Sequence, residues 1–254
     1  MLFEKKLKDV HVKIACYIES NMLSIIIPVY NEVKTIDKVV AKIFAIKNIK
    51  KQIIIVDDGS NDGTREKLKK LNKSYKIDKI IFSKYNCGKG HAIRLGQKFI
   101  QEKFTIIQDA DLEYDPKDYF KILKVLKKRE YKVVYGSRVL NTKRYSNHNF
   151  TSNIRVFANH VLTIISNLIN SQNLTDAHTC YKSFDTKIFK KIKLKENGFS
   201  FCPEVTTKVS NLKLQIFEVK ISYKGRDYKS GKKISFIDGF IAMWTLFKYK
   251  LYKN

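Results

Sequence analysis

Two carboxylates flank a single alanine in Gln108-Asp109-Ala110-Asp111-Leu112-Glu113, directly after the apolar run Phe104–Ile107. Both can reach one hard divalent cation, which takes oxygen ligands. Strand ends are also where open α/β sheets bind their ligands. A cation there would hold the diphosphate of a nucleotide and neutralise it as a leaving group. A solvated turn uses the same residue types, so the neighbouring segments decide between the two readings.

Three other segments share this character. Ile27-Pro28-Val29-Tyr30-Asn31-Glu32 puts a proline at a strand end, then a tyrosine and a glutamate at a helix start. Such a set can stack on and hydrogen-bond a planar base, or simply cap a helix. Val56-Asp57-Asp58-Gly59-Ser60-Asn61-Asp62-Gly63-Thr64 has two glycines for sharp turns. Its carboxylates can accept from base N–H or ribose hydroxyls, and Asp62 or Thr64 can also serve as an N-cap. In Asn86-Cys87-Gly88-Lys89-Gly90-His91-Ala92 the lysine sits between glycines, but the Walker spacing is missing. The glycines are therefore assigned to tight loop packing. His91, His148, His160 and His178 have no companion at ligand spacing.

The elements that must position these loops alternate between strand and helix patterns. Leu23–Val29, Gln52–Val56, Lys79–Phe82, Phe104–Ile107 and Tyr131–Tyr135 read as strands. Helices are expected over Glu32–Ala45, Arg65–Leu71, Ala92–Gln101 and Lys117–Lys128, the last opened by Pro116. This alternation predicts an α/β fold with an open, twisted, mainly parallel sheet covered by helices on both faces. Loops after successive strands then meet at one sheet edge. The second half changes character. Asn141–Thr151 is polar and irregular, and Asn153–Ile169 is a long amphipathic helix candidate. Thr179–Phe184 and Gln215–Ile221 read as strands, Pro203–Asn211 as a helix, and Tyr223–Lys233 as a basic irregular loop. Phe236–Tyr252 is an aromatic-rich amphipathic helix with lysines at its end.

The formal charge of +26 invites a nucleic-acid reading. Of the 50 basic residues, however, only seven are arginine, and the lysines are scattered along the chain. Readers of nucleic acid concentrate arginine for its planar fork. A general lysine and isoleucine bias explains the charge better, so no nucleic-acid partner is expected. Anionic lipid headgroups remain a suitable counter-surface. Cys16, Cys87, Cys180 and Cys202 lack Cys-x-x-Cys spacing, which excludes the usual zinc motifs and leaves reduced thiols as the default. No segment reaches the roughly 18–20 consecutive apolar residues of a membrane span, and residues 1–21 are too charged for a signal peptide.

Together the motifs resemble family 2 glycosyltransferases of the GT-A fold, nearest to the dolichyl-phosphate mannose synthase group. The resemblance rests on SIIIPVYNE (Ser24–Glu32), VDDGSNDGT (Val56–Thr64), NCGKGHA (Asn86–Ala92) and QDADLEYDP (Gln108–Pro116). It continues through YGSR (Tyr135–Arg138), TDAHTCYKSF (Thr175–Phe184), FSFCPEVTTKV (Phe199–Val209) and YKGRDYKSGKKI (Tyr223–Ile234). It implies a nucleotide-sugar pocket formed by Pro28, Tyr30, Glu32, Val56 and Asp58, with Asp109, Ala110 and Asp111 beside the diphosphate. Asp109, Asp111 and Glu113 would surround Mg²⁺ or Mn²⁺. Arg226 and Lys232 would close over the diphosphate, Arg138 would meet the donor phosphates or the acceptor phosphate, and Arg155 the acceptor phosphate.

The implied reaction is inverting transfer of a hexose, mannose or glucose, from GDP-mannose or UDP-glucose to polyprenyl phosphate. Asp111, Arg138 and Asp176 are its catalytic candidates. A phosphate nucleophile needs no general base, whereas a saccharide hydroxyl would, with Asp176 as the carboxylate offered. The second reading is accordingly a family 2 enzyme acting on a saccharide in cell-envelope assembly. The resemblance places the enzyme on the cytoplasmic face of a membrane, bound peripherally or through a membrane partner subunit. The expected organisation is an extension over 1–21, a catalytic domain over 22–235 and an amphipathic, interfacial helix over 236–254.

Overall fold

The apolar runs pair as buried strands. The computed structural model describes residues 22–141, 150–225 and 236–252, with the backbone alone at 150–155 and 236–238. The strands are β1 (Met22–Val29), β2 (Lys50–Asp57), β3 (Lys79–Phe82), β4 (Phe104–Ile107), β5 (Val133–Ser137), β6 (Lys182–Asp185) and β7 (Ile216–Lys220). They form one sheet in the order β3-β2-β1-β4-β6-β5-β7. At the centre β1 pairs in parallel with β2 and β4, setting Ile25 beside Ile53 on one side and Ile106 on the other. Both faces of β1 are covered, which is why Leu23, Ile25, Ile26 and Ile27 form an unbroken buried run.

Strand β6 alone is reversed: it pairs antiparallel with β4 and β5, and the other pairings are parallel. The cause lies in the preceding segment. Thr175 Oγ1 is 2.6 Å from Ser137 Oγ, so this segment already lies at the carboxyl edge of β5. A strand leaving that edge must run the other way. The consequence is functional, because the loop entering β6 joins the loops leaving the parallel strands.

The helices are α1 (Ile36–Ala45), α2 (Thr64–Ser74), α3 (Lys89–Gln97), α4 (Tyr119–Lys127), α5 (Phe150–Asn170), α6 (Thr186–Lys191), α7 (Phe201–Asn211) and α8 (Phe236–Leu251). Helix α3 starts earlier than its apolar spacing suggests, at Lys89, and ends at Gln97. A 3-10 turn over Pro116–Asp118 precedes α4, capped where the Asp115 carboxylate accepts from the Lys117 N–H at 3.0 Å. The short α6 has no counterpart in the sequence reading. The Asp185 side chain caps it, accepting from the Lys187 N–H.

Helices α5, α7 and α8 pack on one another. Helix α7 is buried from Phe201 to Val209 and holds the Lys208–Glu204 ion pair at 2.7 Å. Helix α8 is tied down by its inner face: Lys248 Nζ and Tyr249 Oη both donate to Glu196 Oε1, at 2.9 and 2.8 Å. Among the described residues no helix is long and apolar enough to cross a membrane. Residues 1–21 and 226–235 lie outside the described residues, as does most of the loop expected over 141–151.

Candidate active site

A cleft of about 480 Å³ opens at the carboxyl edge of the parallel strands. The loops after β1 and β2 are laced together there. The Asn31 N–H donates to Ser60 Oγ at 2.9 Å and the Glu32 N–H to Thr64 Oγ1 at 3.0 Å. The Asp62 carboxylate accepts from the Thr64 N–H at 3.0 Å and from the Val33 N–H at 3.2 Å, while the N-cap of α2 is Gly63, not the Asp62 or Thr64 expected. Glu32 also accepts from the Thr35 hydroxyl at 2.7 Å. Pro28, Tyr30 and Glu32 all line the cleft.

Asp58 faces the cleft and fixes the loop after β3. Its Oδ2 accepts from the N–H groups of Gly88 at 2.6 Å and Cys87 at 3.1 Å, and Oδ1 lies 3.3 Å from His91 Nδ1. Gly59 makes this approach possible, because a Cβ there would sit 2.5 Å from backbone atoms of Tyr85 and Asn86. Val56 does not reach the cleft. It is fully buried in the core, against Gly96 of α3.

Asp109, Ala110, Asp111 and Glu113 line the opposite wall. Each carboxylate has a partner of its own. Lys89 Nζ sits 2.6 Å from Asp109 Oδ1, and Asp111 Oδ1 accepts from the Glu113 N–H at 3.1 Å. Tyr223 Oη donates to Glu113 Oε2 at 2.8 Å. Burial works against the Lys89 ammonium, yet the Asp109 carboxylate outweighs it and holds the lysine well above its ordinary pKa.

Among the described residues no three His, Cys, Asp or Glu side chains converge into a ready-made metal cage. The donor set still suits Mg²⁺ or Mn²⁺: hard carboxylate oxygens from Asp109 and Asp111, with room left for other ligands. Mg²⁺ is usually bound by one or two carboxylates plus substrate phosphates and water, not by a closed cage. The carboxylates present fit an open site that a diphosphate would complete.

Arg138, after β5, and the loop entering the reversed β6, with His178 and Cys180, also line the cleft. Arg138 follows β5 and forms a bidentate pair with Asp176, with Nε–Oδ2 at 2.6 Å and Nη2–Oδ1 at 2.8 Å. Burial would raise the Asp176 pKa, but Arg138 pulls it below its ordinary value. Glu218 of β7 supports the same turn, accepting from the N–H groups of Thr175 and Asp176 at 2.7 and 2.9 Å. Behind it the buried Lys182 donates to the Ala177 carbonyl at 2.7 Å and sits 3.9 Å from the Tyr135 ring centroid. His178 lines the cleft beside Arg138, and burial, then the Lys182 charge, pulls its imidazole down to about 4.

The structure thus gathers Pro28, Tyr30, Glu32, Asp58, Asp109, Ala110, Asp111, Glu113 and Arg138 around one cleft, with Asp176 clamped to Arg138. Arg226 and Lys232 lie outside the described residues, and Arg155 is at a position of α5 where the backbone alone is described. Lys89, His178, Tyr114 and Tyr223 also line the cleft, without an assigned role in the sequence reading. A lysine flanked by glycines, in a loop already grouped with the others, was the available signal for Lys89. Tyr114 lies inside the Gln108–Pro116 motif, and its hydroxyl accepts from the Cys180 N–H at 3.0 Å across 66 residues.

The model of the glycosyl transferase family 2 matches residues 24–193, and the chain belongs to that family. It is 28% identical to a UDP-N-acetylglucosamine–dolichyl-phosphate N-acetylglucosaminyltransferase of Methanococcus voltae, over 91% of this chain and 97% of that one. It is 25% identical to a dolichyl-phosphate beta-glucosyltransferase of Trichomonas vaginalis, over 87% of this chain and 70% of the relative. Its fold is similar to that of glucosyl-3-phosphoglycerate synthase from Mycobacterium tuberculosis, solved with Mn²⁺, UDP and phosphoglyceric acid. That match has a TM-score of 0.65 at 13% identity, covering 91% of this chain and 78% of that structure. The chain has the GT-A fold and resembles the polyprenyl-phosphate glycosyltransferases.

Proposed function

We propose that the protein transfers a hexosyl group, plain or N-acetylated, from a nucleoside diphosphate sugar to a polyprenyl phosphate, with inversion and with Mg²⁺ or Mn²⁺. One observation carries this reading: base-binding residue types (Pro28, Tyr30, Glu32, Asp58) and diphosphate-metal residue types (Asp109, Asp111, Glu113) line the same cleft. Uracil is favoured over guanine as the base, since the Methanococcus relative is named for a UDP-sugar and the Mycobacterium structure holds UDP. Asp109 and Asp111 would hold the cation, which when bound supplies charge neutralisation at the diphosphate.

The clamp at Arg138 supports the phosphate acceptor. A hydroxyl nucleophile needs a general base near neutrality. Asp176, the carboxylate on offer, is bound bidentately by Arg138 and weakened as a base. A phosphate oxygen is already anionic, so this site need only orient it and balance its charge. Arg138 does both, and Asp176 orients Arg138.

The acceptor's lipid tail requires a route to a membrane. Helix α5 exposes Phe157, Val161, Ile164 and Leu168, and α8 exposes Phe240, Trp244, Phe247 and Leu251 at the same spacing. The two helices touch, and Lys248 and Lys250 lie at the end of α8. An apolar face with a tryptophan and flanking lysines suits an anionic lipid surface. The reaction is tested by incubating the protein with labelled UDP-glucose, UDP-N-acetylglucosamine or GDP-mannose, Mg²⁺ and polyprenyl phosphate. Label should enter the organic phase. Label found on a saccharide acceptor instead would favour the polysaccharide reading.

A further inference from the structure

One close ion pair in the cleft occupies a carboxylate that the donor-site reading gives to the cation. Asp109 is a carboxylate that would hold the cation, yet its Oδ1 is bonded by Lys89 Nζ at 2.6 Å. An ammonium held on that oxygen repels a dication approaching the same carboxylate and takes up part of its acceptor capacity. Nor is this a wandering surface lysine, because the backbone that carries it is locked. The Gly88 N–H is bound to Asp58 and the His91 N–H to the Asn197 carbonyl at 3.0 Å. A Cβ at Gly88 or Gly90 would lie 2.6 Å or 2.4 Å from the carbonyl oxygens of Asn197 and Glu196. The loop is packed so closely that Lys89 has its base fixed at the mouth of α3 and only its flexible stem free to move.

We propose that Lys89 guards Asp109: in the free protein it occupies the metal-site carboxylate, and a nucleoside diphosphate draws it off, so that cation and nucleotide bind together. The inference rests on the donor-site reading above and adds a binding order to it. A diphosphate offers the ammonium a more highly charged partner than one carboxylate does. Without Lys89, the Asp109 carboxylate would meet the incoming diphosphate with its full negative charge. With it, that charge is partly neutralised until the nucleotide arrives, and Asp109 is released only then. Such coupling is reciprocal: whatever factor nucleotide adds to cation affinity, cation adds to nucleotide affinity.

The test is Mn²⁺ binding by the full chain, read from the electron paramagnetic resonance of free Mn²⁺, alone and with saturating UDP or GDP. Wild type should bind Mn²⁺ weakly alone and about tenfold or more tightly with nucleotide, within the usual range of site-to-site coupling. Lys89→Gln and Lys89→Met should each bind Mn²⁺ alone several-fold more tightly than wild type, with most of the nucleotide's gain lost. Lys89→Arg, which keeps the charge, should behave like wild type. If both neutral variants, folded by thermal melting, bind Mn²⁺ alone no more tightly than wild type, the guard is disproved and the donor site stands. If wild type binds neither Mn²⁺ nor nucleotide, or if Asp109→Asn leaves Mn²⁺ binding intact, the donor-site reading and the inference fall together.

Discussion

Asp58 and Glu32 share the problem of every polar group in this cleft, which is to be held without being exhausted. Asp58 accepts two backbone N–H bonds and faces His91, and Glu32 accepts from Thr35. A carboxylate offers about four lone-pair sites, so such fixing leaves acceptor capacity for a ligand. His178 shows the opposite economy: its Nε2 is buried without a hydrogen-bond partner. Its pKa falls from 6.5 to about 4 on folding, so between those values the unfolded chain binds the extra proton. Stability should therefore fall as pH drops from 6.5 towards 4. Replacing His178→Gln removes that contribution. The slope of unfolding free energy against pH over this interval should flatten by up to about 1.4 kcal/mol per pH unit, as read by urea denaturation. An unchanged slope would mean that the folded protein protonates His178 normally.

At the scale of elements, close approach between helix and sheet sets the position of the loops. Gly96 lets α3 settle on β1 and β2, since a Cβ there would lie 2.7 Å from Ile26 Cγ2 and 3.4 Å from Val56 Cγ2. Gly96→Ala should cost about 1–3 kcal/mol by overpacking. Because α3 begins at Lys89, the same change should weaken nucleotide binding, and a melting curve taken with and without UDP checks both effects. Much of this level was legible in the sequence. The isoleucine runs gave β1, β2 and β4, and helical spacing gave α1, α4 and α5. Val56, which the resemblance puts in the nucleotide pocket, has its side chain in the core, and the end of a fully buried strand has no polar face that would mark this. Helix α6 was missed because its short amphipathic turn sits under the Asp185 cap, with no long period to detect.

The whole molecule carries a formal charge of +26 and an apolar face on α5 and α8. Trp244 is 67% exposed and Leu168 is 78% exposed, large side chains that water does not favour. The protein should sediment with anionic vesicles and release them as salt rises, because each lysine near such a surface contributes about 1 kcal/mol that is screened by ions. Leu168→Glu with Trp244→Glu should reduce vesicle binding about tenfold or more, while turnover of a short, water-soluble polyprenyl phosphate persists. Equal vesicle binding by this variant would move the membrane contact elsewhere.

The order of the strand-end motifs, the acidic Asp109-Ala110-Asp111 segment and the apolar runs are local properties, and the chain's residues determine them without reference to its three-dimensional arrangement. That is why the family and the core of the sheet could be read from them. The partners within the cleft are not local. Lys89 meets Asp109, Arg138 meets Asp176 and Tyr223 meets Glu113 only after the sheet has formed. The deciding event is the docking of the Thr175–His178 segment at the edge where the parallel strands end, which leaves β6 to run in reverse. Strand direction leaves no mark in a pattern of alternating or buried residues. It is fixed by where the preceding segment comes to rest, here by the bond between Thr175 and Ser137.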